Sequence, residues 1–184
     1  MKITVLKDNV NVSMLRKDIE HLLNTYNLWQ EMQISLTSLD GNDNWNASNG
    51  SMSNLEYTED RYCVLNHSLK NTILGEVINE YKQFYRWRLL KLSPNKTYSV
   101  HSDAFKMQIN KRIHIPVISN DKSFFCFYDK IPNDGESCVV THHYLEPGKI
   151  YEVNTTGFHT AVNYGNTDRY HIVGVRYEEN TTKK

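Results

Sequence analysis

A mainly β fold with flanking α-helices, a sandwich or jelly roll, is what this 184-residue sequence predicts. Three observations carry the prediction. After Phe84 the chain breaks into short β-type runs separated by turn signals. Before Phe84 two segments carry an apolar period of 3.6. The run KRIHIPV puts Ile113, Ile115 and Val117 on one face and Arg112 and His114 on the other. That last pattern belongs to a strand that is apolar toward covering helices and, on its other side, either lines a polar pocket or meets water.

Taken in order, the first helix is expected from Ser13 to about Gln30, where Leu15, Ile19, Leu22, Leu23 and Tyr26 form one stripe. A second is expected from Asn71 to about Lys82, with Ile73, Leu74, Val77, Ile78 and Tyr81 aligned. Both should pack on a flat surface. Between them residues 39–60 are rich in Asn, Gly, Ser and Asp without any period, which marks a long loop and a candidate lid around Trp45 and Tyr57. The strand runs are YRWRLLKL, TYSVHSD, RIHIPVI, FFCFY, SCVVTHH, KIYEVN, FHTAVNY and RYHIVGVRY. Turns such as Ser93-Pro94-Asn95, Asn133-Asp134-Gly135 and Pro147-Gly148 separate them. We read one domain over 1–184, with a helical and loop elaboration at 1–83 and a β core at 84–178.

Composition removes several classes of function. Charge is balanced, 21 basic against 21 acidic residues, so no broad field favours nucleic acid or anionic lipid. No apolar run reaches the roughly 18 residues of a membrane span. The start, MKITVLKDNV, lacks the apolar core of a secretory signal, so a cytoplasmic location is expected. Three cysteines without C-x-x-C spacing suggest neither a disulfide framework nor a zinc ribbon.

His101 and Asp103 stand one residue apart in a strand-like run, and alternate side chains of a strand share a face. Two ligands of one metal ion need that arrangement. An H-x-D pair alone is a weak signal, and it needs a third ligand. Sites of two histidines and one carboxylate leave positions of an iron(II) ion open, and the third ligand usually comes from elsewhere in the chain. His159, in GFHTAVNY, is the candidate. Ten residues on, Arg169 opens another strand, and a guanidinium there can grip a carboxylate through two hydrogen bonds.

HSD, then RIHIPV, then LEPGKIYEVNTTGFHTAVNYGNTDRYHIV, resembles the aspartyl/asparaginyl β-hydroxylase family of iron(II)- and 2-oxoglutarate-dependent oxygenases, in particular its small phage and bacterial members. The resemblance spans about 86–176. It implies a double-stranded β-helix (jelly roll, cupin-like). It also implies iron(II) on His101, Asp103 and His159, and 2-oxoglutarate held by Arg169 with help from Arg112 and His114. The activity implied is hydroxylation of an amino acid, free or within a peptide or protein, using O₂ and releasing succinate and CO₂. Two departures bear on the substrate. Leu90 stands where related enzymes have a serine that assists the cosubstrate, and Asn110 where they have an arginine used on the substrate.

Arg86, Arg88, Asn163 and Trp45 are the candidate substrate residues. The two arginines share a strand face with Leu90 and suit a carboxylate-bearing substrate. His171 shares a face with Arg169, and we expect it to line the pocket as a packing residue. Trp87 is expected to pack, and His142 and His143 to be solvated. Two other classes of function compete: a metal-dependent cupin-like enzyme that does not use 2-oxoglutarate, and a non-catalytic jelly-roll binding module.

Overall fold

The computed structural model describes residues 3–103, 108–131 and 136–179. Its elements in chain order are β1 (Ile3–Lys7), α1 (Val12–Thr25), β2 (Gln33–Ser35), β3 (Thr37–Ser38), β4 (Val64–Leu65), α2 (Ile73–Glu80), β5 (Tyr85–Leu92), β6 (Lys96–Thr97), β7 (Gln108–Ile118), β8 (Ser123–Tyr128), β9 (Val140–His143), β10 (Ile150–Asn154), β11 (His159–Asn163) and β12 (Arg169–Glu179). Single 3-10 turns occupy Met52–Asn54, Glu59–Arg61 and His67–Leu69. The expected turn at Asn133-Asp134-Gly135 lies outside the described residues.

Six strands form the larger sheet in the order β1-β10-β7-β12-β5-β2, and four form the smaller in the order β6-β11-β8-β9. The paired strands within both sheets run antiparallel. A short β3-β4 pair stands apart. Each sheet interleaves strands distant in sequence, as a jelly roll requires.

The outer face of the large sheet is covered by the two helices. Ile113, Ile115 and Val117 of β7, with Trp87 and Leu89 of β5, join Leu15, Ile19, Leu22 and Leu23 of α1 and Leu74 and Ile78 of α2 in one core. Both helices begin where a side chain can accept a freed backbone N–H: Asn11 caps α1 through Met14 N (3.2 Å), and Thr72 caps α2 through Gly75 N (3.0 Å). They end earlier than their apolar period suggests, α1 at Thr25 and α2 at Glu80. A second, smaller cluster of Phe125, Phe127, Leu145, Tyr151 and Val153 lies between the sheets.

The segment before Tyr85 supplies strands that hydrophobic periodicity does not announce. β1 adds to β10 and β2 adds to β5, widening the large sheet at both edges. These strands are five and three residues long, too short for a clear period. The run TYSVHSD also differs from expectation. Only its first residue, Thr97 at the end of β6, is strand, and a lone bridge between His101 and His159 follows.

One irregularity in β5 matters for the site. Arg86 has φ +48°, and the register with β12 shifts between Val173 and Val175, so residues 86 and 87 both stand opposite Gly174. That is a bulge. Gly174 fits there because a Cβ would lie 3.0 Å from atoms of Trp87 and of Ile113. Among the described residues no helix is long and apolar enough to cross a membrane.

Candidate metal and anion site

Between the sheets lies a cavity of about 450 Å³. Its floor comes from β5, β7 and β12, its roof from β8 and β11, and part of its rim from Gly50, Ser51 and Ser53 of the Asn-rich segment. The alternation read in KRIHIPV places Arg112 and His114 inside it, because their neighbours face the helices.

His101, Asp103 and His159 meet at one end. One ligand atom of each lies within 4.8 Å of the others. The bridge that joins their strands sets this: His101 N donates to His159 O (3.0 Å), and His159 N donates to His101 O (2.8 Å). Asp103 is anchored separately by its N–H on Thr155 O (3.1 Å). Each imidazole turns Nδ1 toward a backbone carbonyl, Ser99 O at 2.8 Å for His101 and Gly157 O at 2.9 Å for His159. Nδ1 therefore carries the proton, and Nε2 keeps its lone pair. The two Nε2 atoms each lie 3.8 Å from an Asp103 oxygen. Phe125 stacks on His159 at 5.4 Å and 10°, fixing the ring plane. Burial, more than any other influence, lowers the His159 pKa, which favours the neutral form a metal takes.

Asp103 is held ionised. Burial opposes that, but the Arg112 charge and its hydrogen bond from Nε to Oδ2 (3.0 Å) outweigh burial and keep the carboxyl well below the usual range. Arg112 also lies 3.6 Å from Glu59. Glu59 in turn pairs with Arg86 and accepts from the Tyr177 hydroxyl. Arg86 uses its remaining donors on Ser48 O (2.9 and 3.0 Å) and Gly50 O (2.7 Å).

At the other end stands Arg169, 4% exposed. Among the described residues no carboxylate pairs with it. Its Nε and Nη2 lie 3.0 and 2.9 Å from the two ring nitrogens of His171. Burial first, then the Arg169 charge, push the His171 pKa far down, so the ring is neutral and accepts from Arg169 through one nitrogen. The guanidinium keeps its charge for something else. Burial pulls its own pKa down to about 10, still charged at neutral pH. His114 lies between the two ends, also neutral because of burial and then Arg169.

No family model matches the chain, and no curated protein matches it. Among solved structures it is similar to HygX from Streptomyces hygroscopicus with nickel and 2-oxoglutarate bound, at TM-score 0.54 and 11% identity over 97% of this chain and 83% of that one. It is also similar to AviO1 from Streptomyces viridochromogenes Tue57, at TM-score 0.51 and 11% identity over 99% of this chain and 91% of that one. What they share with this chain is the fold. That fold is the jelly roll.

The jelly roll brings together eight of the ten residues singled out in the sequence: His101, Asp103, His159, Arg112, His114, Arg169, Arg86 and Arg88 all line the cavity. It does not bring Asn163 or Trp45 there. Asn163 donates to Leu92 O (2.8 Å) and Thr167 O (2.9 Å), closing the turn after β11. Trp45 packs on Tyr26 at 4.7 Å, against the core under α1, because only the later part of its loop, Gly50, Ser51 and Ser53, reaches the cavity. Trp87 is core, and His142 and His143 are exposed on β9. His171 is buried and lines the cavity, as expected, and it also accepts a hydrogen bond from Arg169. Glu59 was not legible, since its partners are distant in sequence and its own segment lacks a period. Asn110 is buried and tied to Thr155 (3.1 Å), which leaves nothing at that position to bind a substrate.

Proposed function

We propose that this protein is an iron(II)- and 2-oxoglutarate-dependent dioxygenase that hydroxylates an amino acid or an amino-acid residue, forming succinate and CO₂ from 2-oxoglutarate and O₂. The observation that carries the reading is the pairing of ends within one cavity: a two-histidine, one-carboxylate cluster at one end and, at the other, a buried arginine with no carboxylate among the described residues. The residues fit the groups. Two Nε2 lone pairs and an ionised carboxylate suit iron(II), and a guanidinium backed by a neutral acceptor suits the far carboxylate of a 2-oxo diacid. Nickel and 2-oxoglutarate bound in HygX, on the same fold, support the choice.

His101, Asp103 and His159 would hold the iron, which when bound supplies the activation of O₂ coupled to oxidative decarboxylation of the 2-oxo acid. Arg169 would take the distal carboxylate, and His171, by staying neutral, lets that charge act undiminished. Arg112 holds Asp103 ionised and in place. Phe125, Leu90, Ala161 and Val173 give the cavity apolar walls that exclude water from the reacting atoms. The amino-acid substrate rests on the resemblance to the β-hydroxylases.

The reading is tested by adding iron(II) and then 2-oxoglutarate to the protein under anaerobic conditions. The expected result is a visible absorption band from the chelated 2-oxo acid. Its absence at saturating 2-oxoglutarate would favour a metal enzyme that does not use this cosubstrate.

A further inference from the structure

We propose that the substrate is a free small carboxylic acid, in the first instance an amino acid, whose carboxylate is taken by Arg88 in a second anion subsite of the same cavity. This rests on the dioxygenase reading and narrows it. Four guanidinium groups line the cavity, and they are not equivalent. Arg86 pairs with Glu59, and Arg112 with Asp103. Neither Arg88 nor Arg169 has a carboxylate partner among the described residues. A 2-oxo diacid would spend one carboxylate at the metal and the other on a single guanidinium. One buried arginine then still faces the cavity uncompensated.

The strand register says which one. Arg169 stands opposite Leu92 of β5, whereas Arg88 stands opposite Val173, four residues further along β12. At about 3.3 Å per residue the two arginines originate roughly 13 Å apart along the sheet. Val173 pairs on its other side with His114, so Arg88 lies across the floor from the middle of the cavity, toward the metal end. An acid held there is separate from one held by Arg169.

The surroundings of Arg88 are those of a guanidinium kept for a ligand. It is 7% exposed, Nη1 donates to Gln33 Oε1 (3.0 Å), and Gly50 O lies 3.5 Å away. Nε is buried without a partner. These neutral acceptors orient the fork and leave its charge intact. Burial, then the charges of Arg86 and Arg112, lower its pKa to about 9, a sign of how little the site offsets that charge. A carboxylate matches the planar fork and offsets the repulsion from Arg86 and Arg112 at once. The depth of Arg88 in a cavity of about 450 Å³ favours a small free acid over a residue in the interior of a folded chain.

The test uses the parent protein, Arg88→Gln and Arg169→Gln, each loaded anaerobically with iron(II). 2-Oxoglutarate is titrated first, by calorimetry and by the visible band. The twenty L-amino acids and their α-amides are then titrated into the 2-oxoglutarate complexes of the parent and of Arg88→Gln. At least one acid should bind the parent while its amide does not. Arg88→Gln should weaken that acid roughly 30-fold or more, with 2-oxoglutarate affinity near that of the parent. Should Arg88→Gln fold poorly, Arg88→Lys keeps the charge, gives up the planar fork, and carries the same comparison. If the parent shows no 2-oxoglutarate band, the dioxygenase reading itself falls. If the band forms but no carboxylate-dependent binding appears, this inference alone falls. It falls equally if Arg88→Gln loses 2-oxoglutarate and Arg169→Gln does not.

Discussion

Arg169 and His171 stand two residues apart on β12, and the protonation of the imidazole decides what the guanidinium can do. A carboxylate beside Arg169 would neutralise it, whereas a neutral imidazole only orients it. The histidines at the opposite end act differently, offering lone pairs rather than accepting from a cation. The two roles separate under mutation. His101→Ala and His159→Ala should each abolish iron(II) binding while the protein stays folded, because neither ring belongs to the apolar core. Arg169→Gln should retain iron(II) and lose 2-oxoglutarate affinity by about 30-fold or more. Calorimetry with iron(II) and then 2-oxoglutarate reads both, and iron binding retained by His159→Ala would remove that residue from the ligand set. The meeting of His101 and Asp103 was legible because alternation along an extended chain is a local rule, and that of His159 with them because a metal reading of the pair asks for a third group. Asn163 and Trp45 were misplaced because a polar turn residue and a loop tryptophan carry no local sign of which way their segment folds.

At the scale of elements, the 3-10 turn Glu59–Arg61 ties three strands together. Glu59 meets Arg86 of β5, Arg112 of β7 and Tyr177 of β12, all within the buried interior or at its edge. Through Arg112 it reaches the carboxylate of Asp103. Removing one partner of a buried ion pair leaves an uncompensated charge, so Glu59→Gln should lower unfolding free energy by about 3–5 kcal/mol in denaturant titrations. The exposed pair Lys7–Glu80 gives the contrast: Glu80→Gln should cost under about 1 kcal/mol. The Asn-rich segment divides accordingly. Its part around Trp45 to Gly50 is fixed, since Ser35 N donates to Trp45 O (2.7 Å) and Arg86 grips Ser48 O and Gly50 O. Residues 51–58 are mostly exposed, and Ser51 and Ser53 line the cavity mouth. Limited proteolysis should therefore cut within 51–58 and spare 45–50, and cutting should slow once iron(II), 2-oxoglutarate and a bound acid fill the cavity. Equal rates in both states would make this stretch a wall rather than a lid. The loop was legible from its composition, but which half is held in place depends on Arg86, whose bulge at φ +48° no periodicity reveals.

Across the whole molecule, the helices and the large sheet share one apolar core, while the cavity side of the same sheet gathers like charges. Arg86, Arg88, Arg112 and Arg169 face one space with Glu59 and Asp103 as the carboxylates paired there among the described residues. Most strand runs after Phe84 were legible because turn residues bound them, and the two helices because each buries one face. β1 and β2 were not, because a short edge strand is defined by the neighbour it joins rather than by its own pattern. The charged inner face costs stability in the empty protein, and its ligands should return that stability. A ligand at 100 times its dissociation constant stabilises the folded state by about 2.7 kcal/mol. For a chain of this length each kcal/mol moves the midpoint by about 2–4 °C, so iron(II) at that excess should raise Tm by roughly 5–11 °C under anaerobic conditions, and 2-oxoglutarate at the same excess should add a further rise of similar size. Chelator should reverse the part due to iron. His159→Ala should show no shift with iron, and Arg169→Gln should show the iron shift without the further rise from 2-oxoglutarate. Differential scanning calorimetry of the three proteins reads each component, and a 2-oxoglutarate shift that survives in Arg169→Gln would move the cosubstrate's carboxylate to another arginine of the cavity.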